Sequence, residues 1–497
     1  MRKTWLIVLT IILSLNVSAS QFKEILKRAE NPSLIEISVK MPPEIDFSSL
    51  KIVATKKSKV FVMHDGKEPI GILITNALYK YRLTDKFFIP VAKRNFKNAI
   101  KGKYKINDNT LVFSEKAKYT VIWSYKLGKK FFKYPKLESG PFPQKIKKVF
   151  KGLTYGHPSL TLLFQKLYPN ERFVTVYLDS GKNKLIYVVN PVYLKTETLF
   201  TILKYPFKYK NLRGKYRTVP VAKKTLKSHW FEKEETPYTI TKHTEFDLTN
   251  DKGEHILLTT KQKVLIAKDN APAYVVNLIS HIFRKRKISI YKVNYVKVNG
   301  KQADFAHLNH LLIVKLPKNL KAGQTVEIET QTSGDIALIM FGSQRWSLGL
   351  WAWYPKPKHS EESSTFLIKA KVHKPYLAFA SGTPVKRYSD DKYNYLVTKL
   401  DFPGQYPVIA AGRYQTCSRE LNGYKCTAAC YFEKKEAIAN KFMDFFFASI
   451  NYYSSIFKMD YPFKNQFLVE GISKGQAPPG IVFFSRKRTE KKYKKQQ

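Results

Sequence analysis

Hydrophobic and polar positions alternate with a period of two along most of this chain, the spacing of strands with one buried face. In residues 21–230 the runs "SLKIVAT", "KVFVMHDG", "TLVFSEKAKYTVIWSYKLGKK" and "RFVTVYLDSGKNKLIYVVN" are rich in Val, Ile, Tyr, Phe and Thr and are punctuated by Gly, Asn or Asp. They predict strands joined by turns. One piece, "HPSLTLLFQKLY", has helical spacing instead. Residues 231–413 repeat the alternation between turn signals such as Asn299-Gly300, "LKAGQ" and Asp401-Phe402-Pro403-Gly404. Regular short strands of this kind predict a β-sandwich.

The pattern changes after residue 414. "EKKEAIANKFMDFFFASINYYSSIFKMDYPF" places apolar residues at Ala437, Ile438, Phe442, Phe445, Phe446, Ile450, Tyr453 and Ile456. That spacing predicts a helix of about six turns ending before Pro462. Two short apolar runs follow, "QFLVE" and "GIVFF", with a Gly/Pro loop between them. The expected fold is mainly β with a C-terminal α+β part. Its expected divisions are 21–230, a β-rich region without visible chemistry; 231–413, a sandwich; 414–485, a new domain; and 486–497, a basic tail.

In "RYQTCSRELNGYKCTAACYFE" the pair Asn422-Gly423 signals a two-residue hairpin. Such a turn puts Glu420 opposite Lys425 and Arg419 opposite Cys426. Cys417 then lies diagonal to both Cys426 and Cys430 on one face of the ribbon. All three cysteines of the chain are here. In an oxidising compartment they allow a disulfide from Cys417 to either partner, with one thiol left over. A three-cysteine zinc site is the alternative, and the lack of a nearby His weighs against it.

The first residues, "MRKTWLIVLTIILSLNVSASQ", have a basic start, an apolar run from Trp5 to Val17 and small residues that permit cleavage after Ala19 or Ser20. Residues 1–20 are therefore expected to be a signal peptide, and the protein to be exported to the periplasm or secreted. The run is short for a retained membrane anchor.

Charge alters this picture less than its size suggests. The chain has 87 basic and 38 acidic residues, a net charge of +49. Lysine dominates, dispersed along strands as in "KQKVLIAKDN". An anionic surface or polymer is an admissible partner. Nucleic acid is not expected, because its recognition concentrates basic residues in one patch and uses Arg at base edges.

Sites that chemistry would require are mostly absent from the sequence. Gly471-Ile472-Ser473-Lys474-Gly475 matches a nucleophile elbow, but that elbow needs a following helix, and Pro478-Pro479-Gly480 follows here. No His lies beyond it to act as base. None of the ten histidines forms an H-E-x-x-H pair. His307 and His310 lie three apart in a strand-like run, a spacing that points them to opposite faces. Trp346, Trp351, Trp353 and Tyr354 in "RWSLGLWAWYPKPK" read as core packing before they read as a stacking platform.

Taken in order, residues 232–485 resemble the membrane alanyl aminopeptidase family, the gluzincin zinc metallopeptidases. "VKVNGKQADFAHLNHLLIVKLPKNLKAGQTVEIE" is similar to the hairpins of that family's N-terminal sandwich, "WAWYPKP" to its Trp-Tyr-Pro segment, and "DFPGQYPVIAAGRY" to the strand leaving the sandwich. "INYYSSIFKMDYPFKNQFLVEG" resembles its first catalytic-domain helix and strand, and "GQAPPGIVFFS" stands where it has a Gly-x-Met-Glu-Asn loop. The resemblance implies the start of a thermolysin-like catalytic domain, peptide substrates, and Gly475, Gln476 and Ala477 as the substrate-binding loop. Ala477 stands where the family's glutamate holds the substrate's amino terminus. The family's zinc-binding helix would begin soon after "GIVFFS", but the chain runs into Arg486-Lys487-Arg488 and a lysine-rich tail.

Two functions are therefore expected. One is an exported relative of zinc aminopeptidases, stopping before the zinc helix, without catalytic or metal-binding residues of its own and inactive alone. Zinc is then expected only if sequence continues beyond Gln497. The other is a non-enzymatic exported β-sandwich protein that binds peptides or an anionic envelope polymer.

Overall fold

The computed structural model describes residues 22–484 except 23, 27–31, 40–42, 85–87, 102–103, 108, 151–156, 192–195, 205–215, 226–237, 252–254, 285–286, 309, 337, 341–344, 349–351, 358–363, 405–406, 431–435 and 472–476. The expected signal peptide, Trp351, Gly475, Gln476 and the basic tail lie outside the described residues. The fold is mainly β, with a C-terminal α+β part. Two compact units divide the chain near residue 235.

The first unit is built on one sheet. Its central strands are Pro69–Leu83 and Leu111–Trp123, flanked on one side by Val60–His64 and Ser33–Ile37 and on the other by Val174–Asp179 and Lys184–Asn190. The first part of Pro69–Leu83, through Ile74, is buried on both faces. Ile72 and Ile74 face one core, Leu73 the other. Apolar residues therefore run on without alternation there, whereas Ala77, Tyr79, Tyr81 and Leu83 alternate with the exposed Leu78, Lys80 and Arg82 where one face is solvated.

Helices cover the doubly buried part. Ile89–Ala99 contributes Ile89, Ala92 and Phe96 to one core. Gln144–Phe150 and Pro158–Leu167 contribute Ile146, Val149 and Leu162 to the other. Only Pro158–Leu167 was expected. "WSYKLGKK", read as the end of a strand, turns instead into the helix Tyr125–Phe132. Ser124 caps it by accepting from the Leu127 N–H at 3.3 Å. Gly128 lets the helix lie on the sheet, since a Cβ there would come within 2.8 Å of the Gly71 nitrogen.

In the second unit the longest sheet carries Lys287–Val298, Thr325–Asp335, His255–Ile266, Thr239–Asn250, Ser364–His373, Tyr393–Gly404 and Thr383–Ser389 in that order. Only Thr239–Asn250 and Ser364–His373 pair in parallel among these neighbours. Its inner face buries Phe246, Leu248, Leu258, Ile328 and Ile368. Trp353 and Tyr354 pack on Phe246 with ring centres 5.2 and 5.0 Å away. The described members of the tryptophan cluster are thus core: Trp346, Trp353 and Tyr354 are all buried. Gln262 crosses the core, donating to the Pro355 carbonyl at 2.9 Å and accepting from the Tyr274 hydroxyl at 3.1 Å.

Candidate functional site

The C-terminal part of this unit is a sheet of Gln415–Leu421, Tyr424–Cys430, Asn465–Glu470 and Ile481–Phe484. The first two strands form the expected hairpin. Asn422 and Gly423 both adopt positive φ, 52° and 73°, as a primed turn requires. The register places Arg419 opposite Cys426 and Glu420 opposite Lys425. The remaining pairs are parallel. Helix Glu436–Phe457 supplies the crossover between Tyr424–Cys430 and Asn465–Glu470.

That helix buries Ala439, Met443, Phe447 and Ile450 against the sheet. Of the apolar positions that predict the helix, Ile450 is buried and Phe442 and Phe446 are partly buried. Ala437, Phe445, Tyr453 and Ile456 are exposed. Apolar residues occupy most of the helix circumference, so spacing alone does not select the buried stripe.

The loop between the two parallel strands is tied down at its described end. The Phe467 N–H donates to the Gly480 carbonyl at 3.0 Å, and the Gly382 N–H donates to the Pro479 carbonyl at 2.8 Å. Gly471 closes the other end through its N–H to the Phe484 carbonyl at 2.9 Å. Ala477, the described member of the expected substrate loop, is exposed and brings no charge.

Two residues near this loop were missed in the sequence. Glu470 is buried at the end of its strand, and its carbonyl accepts from the Tyr414 hydroxyl at 3.3 Å. Arg387 donates to the Ala378 carbonyl at 2.8 Å and lies 4.9 Å from the ring centre of Phe379 and 5.9 Å from that of Phe467. Burial lowers the pKa of its guanidinium. Aromatic rings on both contacts fit a delocalised cation.

Cys417, Cys426 and Cys430 are free thiols in this structure. Cys417 pairs in register with Ala428, so Cys426 and Cys430 are both diagonal to it. Diagonal neighbours in a ribbon stand about 7–8 Å apart, beyond the span of an unstrained bridge. Burial, and after it the neighbouring Cys417, pushes the Cys426 thiol up to about 12. Among the described residues no three His, Cys, Asp or Glu side chains converge as metal ligands, so these residues do not fit a zinc ion. His310 has φ 62° and accepts the Ser280 N–H on Nδ1 at 3.0 Å, a contact between two segments of the second unit.

No family model matches the sequence, and no curated protein matches it. Among solved structures, an M1 zinc metallopeptidase from Deinococcus radiodurans is similar over 52% of this chain and 64% of its own, with 14% identity and a TM-score of 0.40. A mutant of the M1 zinc metallopeptidase from the same organism, bound to a Tyr-Ser-Ala substrate, is similar over 49% of this chain and 60% of its own, with 14% identity and a TM-score of 0.38. The chain spans less than two thirds of the length of these neighbours. No helix among the described residues is long and apolar enough to cross a membrane.

Proposed function

We propose that this protein is an exported relative of the zinc aminopeptidases that holds peptides without cleaving them by its own residues. The observation that carries the reading is the order of elements in the second unit. A sandwich leads into an Asn-Gly hairpin, a long helix and a parallel strand pair. The loop 471–480 between those strands stands at the family's substrate-terminus loop in the sequence resemblance. With Ala477 in place of a carboxylate there is no ion pair for a free amino terminus at that position. These 497 residues contain no H-E-x-x-H, the pattern that sets a general base beside a metal-bound water.

Two measurements on the full chain test this. Aminoacyl-amide reporters incubated with added zinc should show no turnover above buffer, and steady turnover would overturn the reading. Ala477→Glu restores a carboxylate at the loop. It should favour a tripeptide with a free amino terminus over its acetylated form by several-fold, and an unchanged preference would remove the loop from the proposal. Export predicts a native amino terminus at Ser20 or Gln21, and an intact mass that retains Met1 would count against it.

A further inference from the structure

The first unit holds a cleft of about 340 Å³ that belongs to none of the features above. It lies on the solvated face of three neighbouring strands, Tyr104–Ile106, Leu111–Trp123 and Pro69–Leu83. Register explains its chemistry. Lys105 pairs with Val112, and Val112 pairs with Arg82, so two cations flank one apolar residue in a single cross-strand row. Lys80 stands two residues before Arg82 and therefore on the same face. Neighbouring strands lie about 4.8 Å apart, which sets Arg82 and Lys105 roughly 10 Å apart at the backbone. Their side chains are long enough to close over Val112.

A strongly basic chain carries lysines everywhere, so charge alone distinguishes nothing here. Three further observations do. All three cations line one cleft. Among the described residues none of them has a carboxylate partner, whereas Lys51, which pairs with Lys80 across the strands, is ion-paired with Glu44. The other polar lining groups also donate. Thr110 brings a hydroxyl. Asn107 already accepts the Asn109 N–H on Oδ1 at 3.1 Å, which leaves its amide NH₂. Like charges gathered on one sheet face disfavour one another, and an anion in the cleft relieves them.

We propose that this cleft binds a phosphate-bearing anion. A carboxylate offers two oxygens and one charge to three cations and two neutral donors. A terminal phosphate offers three oxygens and up to two charges, and its tetrahedral face suits the fork of Arg82 with the point charges of Lys80 and Lys105. The phosphate comes either from a free anion or from a lipid headgroup, and the experiment separates them.

Titration calorimetry of the full chain with inorganic pyrophosphate at fixed moderate salt gives the first readout. The triple variant Lys80→Gln, Arg82→Gln, Lys105→Gln should bind at least about tenfold more weakly. A charge-matched control, Lys242→Gln, Lys301→Gln, Lys318→Gln, removes three exposed lysines elsewhere and should stay within about twofold. Equal losses in the two variants, or no binding by the unaltered chain, overturn the site. Val112→Glu guards against misfolding of the triple variant. It puts a carboxylate among the cations, so it should abolish pyrophosphate binding while raising the thermal midpoint. Val112→Gln should do neither, and unaltered binding in Val112→Glu contradicts the proposal. Cosedimentation with phosphatidylglycerol vesicles that the triple variant loses assigns the phosphate to a headgroup. Pyrophosphate binding without cosedimentation assigns it to a free anion.

Discussion

Gly480 lies against Gly382 with no room for a side chain between them. A Cβ on Gly480 would stand 2.9 Å from the Gly382 carbonyl carbon, and the Gly382 N–H donates to the Pro479 carbonyl at 2.8 Å. Both glycines have positive φ, 77° and 95°. The loop that follows Glu470 is thus fixed to the start of strand Thr383–Ser389 by backbone alone.

Gly480→Ala should be costly for two separable reasons. Strain at positive φ contributes about 1 kcal/mol, and displacement of the Gly382 backbone adds more, for a total of roughly 3 kcal/mol. Gly423 also has positive φ, but a Cβ there meets nothing within 4 Å, so Gly423→Ala isolates the strain. Denaturant midpoints of the two variants measure the difference. Equal losses would show that the close approach contributes nothing.

The helix Glu436–Phe457 has an apolar face on each side, and among the described residues only one is packed. Phe447 is buried beneath Arg419, whose guanidinium carbon lies 5.7 Å from its ring centre, whereas Phe445 is 74% exposed. Phe447→Ala should cost about 3–5 kcal/mol. Phe445→Ser should leave stability within about 0.5 kcal/mol and raise solubility, because Phe445, Tyr452, Ile456 and Phe457 form an exposed apolar surface. Unfolding curves and light scattering on both variants distinguish the faces. Strong destabilisation by Phe445→Ser would mean that its face is packed.

His157 makes the first unit acid-sensitive. It is the N-cap of helix Pro158–Leu167, where Nδ1 accepts the Ser159 N–H at 3.3 Å. Burial lowers its pKa from 6.5 to about 4. The fold holds the imidazole neutral, so the unfolded chain takes up the proton first as pH falls below 6.5. Stability is therefore lost between about pH 6.5 and pH 4, by on the order of 3 kcal/mol. His157→Asn can still cap the helix and should flatten that part of the stability–pH curve. An unchanged slope would place the acid sensitivity elsewhere.

The thiols should differ in reactivity. Cys417 is partly exposed, while Cys426 and Cys430 are buried and the Cys426 thiol is held at about 12. A maleimide should modify Cys417 first and reach the other two only on unfolding. Reduction should leave the mass and gel mobility unchanged. A two-hydrogen mass gain on reduction would restore the bridge.

How far the sequence carries this reading depends on how local each signal is. The hairpin was legible to the residue, because Asn422-Gly423 dictates its own turn and the turn dictates the pairing of Arg419 with Cys426. Helix Tyr125–Phe132 was not, because its Tyr and Phe residues favour strands and its placement depends on Gly128 meeting Gly71, a contact set by the tertiary fold. Helix Ile89–Ala99 did leave a trace, Pro90 in its first turn and buried residues at Ile89, Ala92 and Phe96. Arg387 left none. Among 87 basic residues nothing local marks the one that lies on Phe379 and Phe467. The phosphate cleft is similar, since Arg82 and Lys105 are brought together by strand pairing alone.

The most direct test of the central claim is the zinc content of the purified full chain after incubation with excess zinc and removal of unbound metal. Well below one zinc per chain is the expected result, because the described residues assemble no ligand set and the sequence holds no H-E-x-x-H. One tightly held zinc per chain, with peptide hydrolysis that a chelator abolishes, would contradict it and make this protein a working metallopeptidase.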